Sequence, residues 1–239
     1  MGADLSQAEL RVMAIESADP WMIAAFAPDA GDIFDILLSA ALPDVDWPTL
    51  HKNAKAGDDP DDFYENMRAR MKGVVYGVSF GRGTRAIAAS LKISIEEAQL
   101  LVDGFVRPGS EFAAWRADIT DRAVNGGNIQ TVFGRYFQSE VINNKNKQNV
   151  INSALAFTSQ STANDICLRA ALAVVPQLEQ YGAWMLGTIH DAIYVDCPAE
   201  HTDAVGELIA AELMESGRQV YGDIVPFTAD WKAGKSLAG

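Results

Sequence analysis

Residues 189–195 read Ile189-His190-Asp191-Ala192-Ile193-Tyr194-Val195, an acidic turn between two apolar runs. The runs Met185–Ile189 and Ala192–Val195 are apolar enough to be core strands, so they predict a hairpin with Asp191 in its turn. This turn decides the fold, because two core strands on either side of an acidic turn have to pair within a sheet.

A second acidic motif opens the chain and reads Asp4-Leu5-Ser6-Gln7-Ala8-Glu9-Leu10-Arg11-Val12. It predicts a very short strand at Asp4 that leads directly into a helix over residues 6–18. Neighbouring strand ends in one sheet would bring Asp4 and Asp191 together. Paired carboxylates with hard oxygen atoms suit Mg²⁺, which needs few protein ligands when substrate phosphates complete its coordination.

Between the two acidic motifs lies a patterned segment, residues 62–80, which we predict to be helical. Its side chains Arg68, Lys72, Tyr76 and Phe80 recur every four residues, and each step turns about 400°, so they form one stripe. An Arg fork and a Lys point charge suit a triphosphate, and Lys can donate a proton to departing pyrophosphate. The aromatic rings of Tyr76 and Phe80 would offer a face for a base. The alternative is a surface helix with solvated cations and buried aromatic rings.

The remaining pattern predicts helices in the middle of the chain and strands at its two ends. We therefore expect an α+β fold, in which a small antiparallel sheet carries the acidic residues and a mostly helical lobe is inserted into it. Ser94 and Glu97 form a predicted capping box. The other predicted elements are helices over 20–41, to about 91, 95–106, 110–124, 144–179 and 199–217, an irregular connection over 43–60, a hairpin over 128–138 and a last strand over 224–229.

Composition sets limits on location and partners. The chain has 239 residues, a net charge of −13 and two cysteines. It lacks an apolar run of 18 residues and an export-type N-terminus, so we expect no membrane partner and a cytoplasmic location, that of the host if the chain is phage-encoded. The net charge alone argues against nucleic acid as a partner. Basic residues nevertheless concentrate beside the predicted phosphate site: Arg68, Arg70, Lys72, Arg82 and Arg85.

The order and spacing of these motifs resemble the polymerase domain of family A DNA polymerases, in a phage-like form. The resemblance implies a palm over residues 1–19 and 126–239, and fingers over 20–125. It implies that Asp4 and Asp191 bind two Mg²⁺ ions, with the backbone carbonyl of Leu5 as a further oxygen ligand. Together with Lys72, these aspartates would be the catalytic residues.

The resemblance also assigns nucleotide-binding roles. Gln7 would line the nucleotide pocket, and Glu9 would be the steric gate that excludes a 2′-hydroxyl and so selects dNTPs. Arg68 and Lys72 would hold the triphosphate, Tyr76 would stack on the incoming nucleotide, and Phe80 would lie near the templating base. Tyr76 would place its phenolic oxygen near the 3′ position of the sugar, which predicts weak discrimination against dideoxynucleotides.

Four further residues would contact primer–template DNA. Gly81, which directly follows Phe80, would be one of them, and His190 would lie beside the primer terminus. Arg135, in the segment Thr131-Val132-Phe133-Gly134-Arg135, would contact the DNA backbone. Gln160 would face the template minor groove from a helix that carries Gln160-Ser161-Thr162-Ala163-Asn164-Asp165.

This sequence departs from the family pattern at several positions. Ala192 stands where the family commonly has Glu after the second aspartate, so an accessory carboxylate is missing. Asn152 and Ala156 replace a usual Arg and Asn, which predicts thinner minor-groove contacts. Phe34 stands where many members have His near the triphosphate.

A family A member has a thumb and part of its palm before the first acidic motif, whereas three residues precede Asp4 here. The resemblance therefore implies an upstream polypeptide as a partner, beside primer–template DNA and dNTPs. Two other functions stay open: a non-catalytic remnant or subunit that binds DNA or a partner, and a single-subunit RNA polymerase. Glu9 argues against the second, because a ribose would clash with it.

Overall fold

The computed structural model describes residues 1–139 and 141–236. Within them lie four strands and ten α-helices. The strands are β1 (Gly2–Leu5), β2 (Trp184–Ile189), β3 (Ala192–Asp196) and β4 (Ala229–Lys232). The helices are α1 (Ala8–Ser17), α2 (Pro20–Ala25), α3 (Ile33–Ala41), α4 (Trp47–Lys55), α5 (Phe63–Ser79), α6 (Thr84–Leu91), α7 (Ile95–Val106), α8 (Ser110–Asn125), α9 (Lys147–Leu178) and α10 (Thr202–Tyr221).

The chain forms two compact units. The sheet unit comprises Met1–Ile15, Gln130–Tyr136 and the chain from Phe157 onward. The helical unit comprises Glu16–Ile129 and Phe137–Ala156. Naming these units palm and fingers stays a proposal, as do the predicted palm and fingers boundaries.

The sheet unit contains one antiparallel sheet in the order β2-β3-β1-β4. Its strands bury alternate residues: Ala3 and Leu5 on β1 and Ile193 and Val195 on β3 are at most 2% exposed. These side chains join a core with buried residues of α9 and α10. The helices cover one face, and Asp4 points from the other, as period-2 alternation requires. The expected α+β class with a small antiparallel sheet is confirmed.

Helix α10 lies very close to β4. A Cβ atom at Gly206 would come within 2.3 Å of the Trp231 ring. Only glycine permits this approach, because even an alanine methyl would overlap the indole. Trp231 therefore fixes β4 against the core, and Asp230 on the same strand points to the opposite face.

The helical unit relies on polar caps at its helix starts. Asp19 is 1% exposed; its Oδ1 accepts from the backbone N–H groups of Trp21 and Met22, and its Oδ2 accepts from that of Phe112. One buried carboxylate thus satisfies amides of both α2 and α8. Ser94 Oγ accepts from Glu97 N at 3.0 Å, as the capping box predicts.

Several predicted elements differ from the structure. The helix expected over 20–41 is divided into α2 and α3, because Asp32 starts a new helix by accepting from Phe34 N. The connection over 43–60 contains α4, since Pro48 lies in the first turn of that helix, where a missing N–H costs nothing.

Two strand predictions also change. The hairpin over 128–138 is reduced to a single bridge between Gln130 and Tyr136. The last strand is Ala229–Lys232 and not 224–229, because the Arg11 side chain takes the carbonyl oxygen of Pro226. Among the described residues no helix combines the length and apolarity needed to cross a bilayer.

Candidate active site

Asp4 lies on the open face of the sheet at the point where three strands meet. Its neighbours across the ladders are Ala192 on β3 and Asp230 on β4. Asp4 is exposed while Ala3 and Leu5 are buried. The alternation of β1 therefore directs this carboxylate toward solvent, and only the backbone of Leu5 is available to a ligand there.

Asp191 follows His190 in the tight turn between β2 and β3. His190 has a φ of 57°, in the left-handed region, which few non-glycine residues adopt and which tight turns require. The N–H of Leu5 donates to the carbonyl oxygen of Asp191 at 3.4 Å. The structure therefore brings the two predicted aspartates together, Asp4 on β1 and Asp191 in the turn that leads into the adjacent strand β3, although 186 residues separate them in the sequence.

A groove of about 530 Å³ lies on this open face. It is lined by Asp4, His190 and Asp191 and also by Tyr194 and Lys232. Lys232 is paired with Gly2 across β1 and β4, two residues from Asp4 along β1, so it adds a cation to the lining of this groove. No role in the site is predicted for Lys232 from the sequence.

Glu9 belongs to the same group of side chains. Burial raises the pKa of Glu9 above its ordinary value of 4.5, and the charge of Asp191 raises it further. A hydrogen bond with Gln160 and the nearby His190 oppose this rise. Four predicted site residues thus interact with one another from α1, α9 and the β2–β3 turn. Gln7 has a φ of 51° in the turn before α1.

Arg11 is a buried residue that supports this site, and the sequence pattern predicts no role for it. It is 7% exposed. Its Nε donates to Ser6 O and its Nη2 to Thr228 Oγ1, each at 2.8 Å, and burial lowers its pKa to about 10. Ser6 Oγ in turn donates to Asp230 Oδ2 at 2.9 Å. Arg11 therefore fixes the turn after β1 to the segment that leads into β4.

Arg135, predicted to contact DNA, has a protein partner. Its Nε and Nη2 donate to the two carboxylate oxygens of Asp165 at 2.6 and 2.7 Å. The Asp165 carboxylate is nearly buried, whereas the Arg135 side chain is 54% exposed. This bidentate pair raises the pKa of Arg135 and attaches the segment 130–136 to α9.

The predicted stripe lies on α5, in the helical unit. Buried residues of the same helix, among them Met71, Val74 and Val75, form its other side. Lys72 is exposed, and the rings of Tyr76 and Phe80 lie 5.9 Å apart. The expectation that this stripe faces the two aspartates stays a prediction.

A second groove, of about 510 Å³, follows the aromatic end of the stripe. Tyr76 and Phe80 line it together with Asn152 and Ala156, two of the positions that depart from the family pattern. Gly81 follows with a φ of 81°, and a Cβ there would lie 2.5 Å from Asn152 Oδ1. Both the backbone conformation and the contact therefore require glycine at position 81.

Arg68, at the other end of the stripe, is already paired. Its Nη2 donates to Asp32 Oδ2 at 2.9 Å, and its guanidinium lies over the Phe34 ring at 4.9 Å. Phe34 is thus a neighbour of the predicted phosphate-binding cation. The sequence did not single out Asp32.

The donor set at the acidic site suits a hard cation only partly. Within residues 1–139 and 141–236 no group of three or more His, Cys, Asp or Glu side chains is arranged to hold a metal ion. Asp4 and Asp191 supply two carboxylates on adjacent strands, which is what Mg²⁺ takes from a protein when substrate phosphates and water supply the rest. The residues therefore fit Mg²⁺ that arrives with a nucleotide.

Comparison with known proteins shows which protein family this chain belongs to. A sequence model described as DNA polymerase family A matches residues 1–238, and the chain belongs to this family. The predicted family is confirmed.

The chain is similar to parts of much longer relatives. It is 29% identical to the thermostable DNA polymerase I of Thermus aquaticus, over 97% of this chain and 27% of that protein. It is 29% identical to DNA polymerase I of Mycobacterium leprae, over 90% of this chain and 22% of that protein. The chain thus spans about a quarter of the length of these relatives.

A solved structure has the same fold. The POL domain of Pol1 from M. smegmatis, in complex with DNA primer-template and dNTP, superposes with a TM-score of 0.75 at 24% identity. The match covers 96% of this chain and 38% of that domain.

Proposed function

We propose that this chain is the catalytic portion of a DNA-directed DNA polymerase, which transfers dNMP from a dNTP to a primer 3′-hydroxyl. The observation that carries the proposal is the placement of Asp4 and Asp191 on adjacent strands, with Glu9 beside Asp191. Membership of the family supports it. The M. smegmatis domain, which was solved with primer-template and dNTP, supports DNA and dNTPs as partners of this chain.

The chain's own residues would bind and orient the reactants. Asp4 and Asp191, with the Leu5 carbonyl, would hold two Mg²⁺ ions. When bound, such ions lower the pKa of the attacking 3′-hydroxyl and stabilise charge on the triphosphate.

The other predicted residues would act on the sugar, phosphates and base. Glu9 would close the space beside C2′, and its hydrogen bond with Gln160 would hold it there. Arg68 and Lys72 would bind the triphosphate, and Lys72 would donate a proton to the departing pyrophosphate. Tyr76 would stack on the base pair, with Gln7 beside the nucleotide.

The remaining predicted residues would bind the DNA. Gln160 is exposed on α9, where its amide can donate to and accept from base edges in the minor groove, whose pattern depends little on sequence. His190 would lie by the primer terminus. Asp165 accepts from Nε and Nη2 of Arg135, and the exposed N–H groups of the same guanidinium would donate to a phosphate. Gly81 would let the backbone approach the template.

An upstream polypeptide with a thumb and the rest of the palm would complete the enzyme. Relatives of about four times the length support this. A thumb from that polypeptide would also supply positive surface that a chain with a net charge of −13 lacks.

Primer extension tests the proposal. The 239-residue chain is incubated with primer–template DNA, Mg²⁺ and either dNTPs or NTPs, with and without an upstream fragment of a relative. We expect extension with dNTPs that depends on Asp191. A preference for NTPs would favour an RNA polymerase, and no extension under any complementation would favour a non-catalytic remnant.

The same assay tests the role of Tyr76. If its phenolic oxygen lies near the 3′ position of the sugar, the chain incorporates dideoxynucleotides readily, and Tyr76→Phe reduces that incorporation. Unchanged incorporation by the Phe variant would remove Tyr76 from the sugar-binding group.

A further inference from the structure

Arg68 is bound to an anion that the protein itself supplies. Its Nη2 donates to Asp32 Oδ2 at 2.9 Å, and the Phe34 ring covers the guanidinium. Its Nε is buried and has no hydrogen-bond partner among the described residues. A buried donor without a partner is costly, so the Asp32 contact satisfies this guanidinium incompletely.

Asp32 is held in place independently of Arg68. Its other oxygen, Oδ1, accepts from the backbone N–H of Phe34 at 2.8 Å and caps α3. An N-cap carboxylate is fixed by the backbone it caps and is favoured by the helix dipole. Asp32 therefore stays at the start of α3 when Arg68 moves.

A second α3–α5 contact lies one turn away and does not involve the Asp32–Arg68 pair. Tyr64 Oη donates to Asp35 Oδ1 at 2.7 Å; Tyr64 is 0% exposed and Asp35 is 6% exposed. His51 Nδ1 lies 2.7 Å from the other Asp35 oxygen, and its ring stacks on Tyr64. This buried contact joins α3 to α5 without Arg68.

The Asp32–Arg68 pair is more accessible. Its side chains are 19% and 27% exposed, respectively. Ion pairs that water reaches contribute little to stability. Breaking this pair therefore leaves the α3–α5 junction intact.

We propose that Asp32 is a positioning residue that occupies Arg68 until a triphosphate displaces it, and that Asp32 thereby weakens nucleoside triphosphate binding. This inference rests on the proposed function, because it takes Arg68 as a phosphate ligand. A triphosphate offers several oxygens and more negative charge than one carboxylate, so it can compete with Asp32 for the exposed part of the guanidinium. The affinity for the nucleotide is reduced by the free energy of the Asp32 contact that has to be broken.

The test removes the charge of Asp32 and keeps its cap. In Asp32→Asn the side-chain oxygen still accepts from Phe34 N, since Asn is as good an N-cap as Asp. The matched control is Asp46→Asn, because Asp46 caps α4 through Thr49 N in the same unit. Calorimetric titration of the full chain with inorganic tripolyphosphate, and separately with dATP, gives the dissociation constants.

We expect Asp32→Asn to bind both probes about three- to tenfold more tightly than the parent chain, and Asp46→Asn to bind them equally well. In an Arg68→Gln background the Asp32→Asn change should have no effect, because the competing pair is already gone. A role in stability alone would not depend on Arg68 in this way. Unchanged or weaker binding by Asp32→Asn would overturn the inference, as would the absence of tripolyphosphate binding in every variant.

Primer extension separates this inference from the proposed function. Extension by the parent chain with the same dNTP KM in Asp32→Asn would overturn the inference and leave the polymerase proposal standing. Tighter tripolyphosphate binding by Asp32→Asn, without extension by any variant even when the upstream fragment is present, would support the inference and remove the polymerase proposal.

Discussion

The two units place their predicted reactive groups by different physical means. In the sheet unit, strand register brings Asp4 and Asp191 together from opposite ends of the sequence. In the helical unit, the repeat of α5 alone puts Arg68 and Lys72 on one stripe. A site formed by strand pairing depends on how the whole core packs, whereas a row of side chains along α5 depends on that helix alone. Substitutions in the two units should therefore differ in what they change.

The largest expected effect is that of Asp191→Asn in the sheet unit. An amide cannot balance the charge of a divalent cation, so kcat for primer extension should fall by at least about 10³-fold. The control is Asp196→Asn, which removes an exposed carboxylate at the other end of β3. Activity retained in Asp191→Asn would show that the chemistry does not take place at this sheet.

Lys72→Gln tests the stripe and should have the next largest effect. Loss of a proton donor to the leaving group lowers kcat by about 10²-fold. Lys55→Gln removes an exposed lysine of α4 in the same unit and should leave kcat unchanged. A rise in the dNTP KM with kcat unchanged would make Lys72 a binding residue and not a proton donor.

The sequence predicts the features that depend on near neighbours and misses those that depend on distant residues. The α5 stripe, the Ser94 cap and the strands around Asp191 depend on neighbours within a few residues, and the structure confirms them as elements. The last strand was misplaced because Val225 and Phe227 are buried like strand residues. Arg11, more than 200 residues earlier, donates to the carbonyl oxygen of Pro226, and strand pairing begins only beyond that residue.

The candidate site shows the same limit. The strand pattern predicts that Asp4 and Asp191 meet at neighbouring strand ends, but the role of Glu9 beside them is implied only by resemblance to a family. Asp165 and Asp32 were not predicted, because a carboxylate that pairs with a distant arginine has no local pattern. Asp46 and Pro48 do have one, a capped helix start, which the surrounding Pro and Gly residues concealed.

A smaller effect, on stability, is expected when Gly81→Ala is compared with Gly57→Ala. Both glycines have a positive φ, of 81° and 82° respectively, but a Cβ at Gly57 meets nothing within 4 Å. Gly57→Ala should cost only the left-handed conformation, about 1 kcal/mol. Gly81→Ala adds overlap with Asn152 and should cost about 3 kcal/mol in the free energy of unfolding. Urea denaturation measures both, and equal losses would show that Asn152 moves aside without cost.

The smallest expected effect returns to the sheet unit and depends on pH. Because burial and Asp191 raise the pKa of Glu9 above 4.5, the folded chain binds this proton more tightly than the unfolded chain does. The stability that Glu9 contributes is therefore fully present below pH 4.5 and is lost as pH rises through the folded-state pKa. Glu9→Gln should remove that loss, so that the variant is more stable than the parent at pH 7 by less than either glycine effect.

Urea denaturation in EDTA between pH 4 and 8 measures this difference, with Glu96→Gln on the exposed first turn of α7 as the control. A gain that grows with pH in Glu9→Gln and not in Glu96→Gln would locate the cost of the acidic site in the sheet unit. A gain that is the same at every pH would assign it to packing and not to charge. In that case the charge of the Glu9 carboxylate would not be what lowers the stability of the sheet unit at neutral pH.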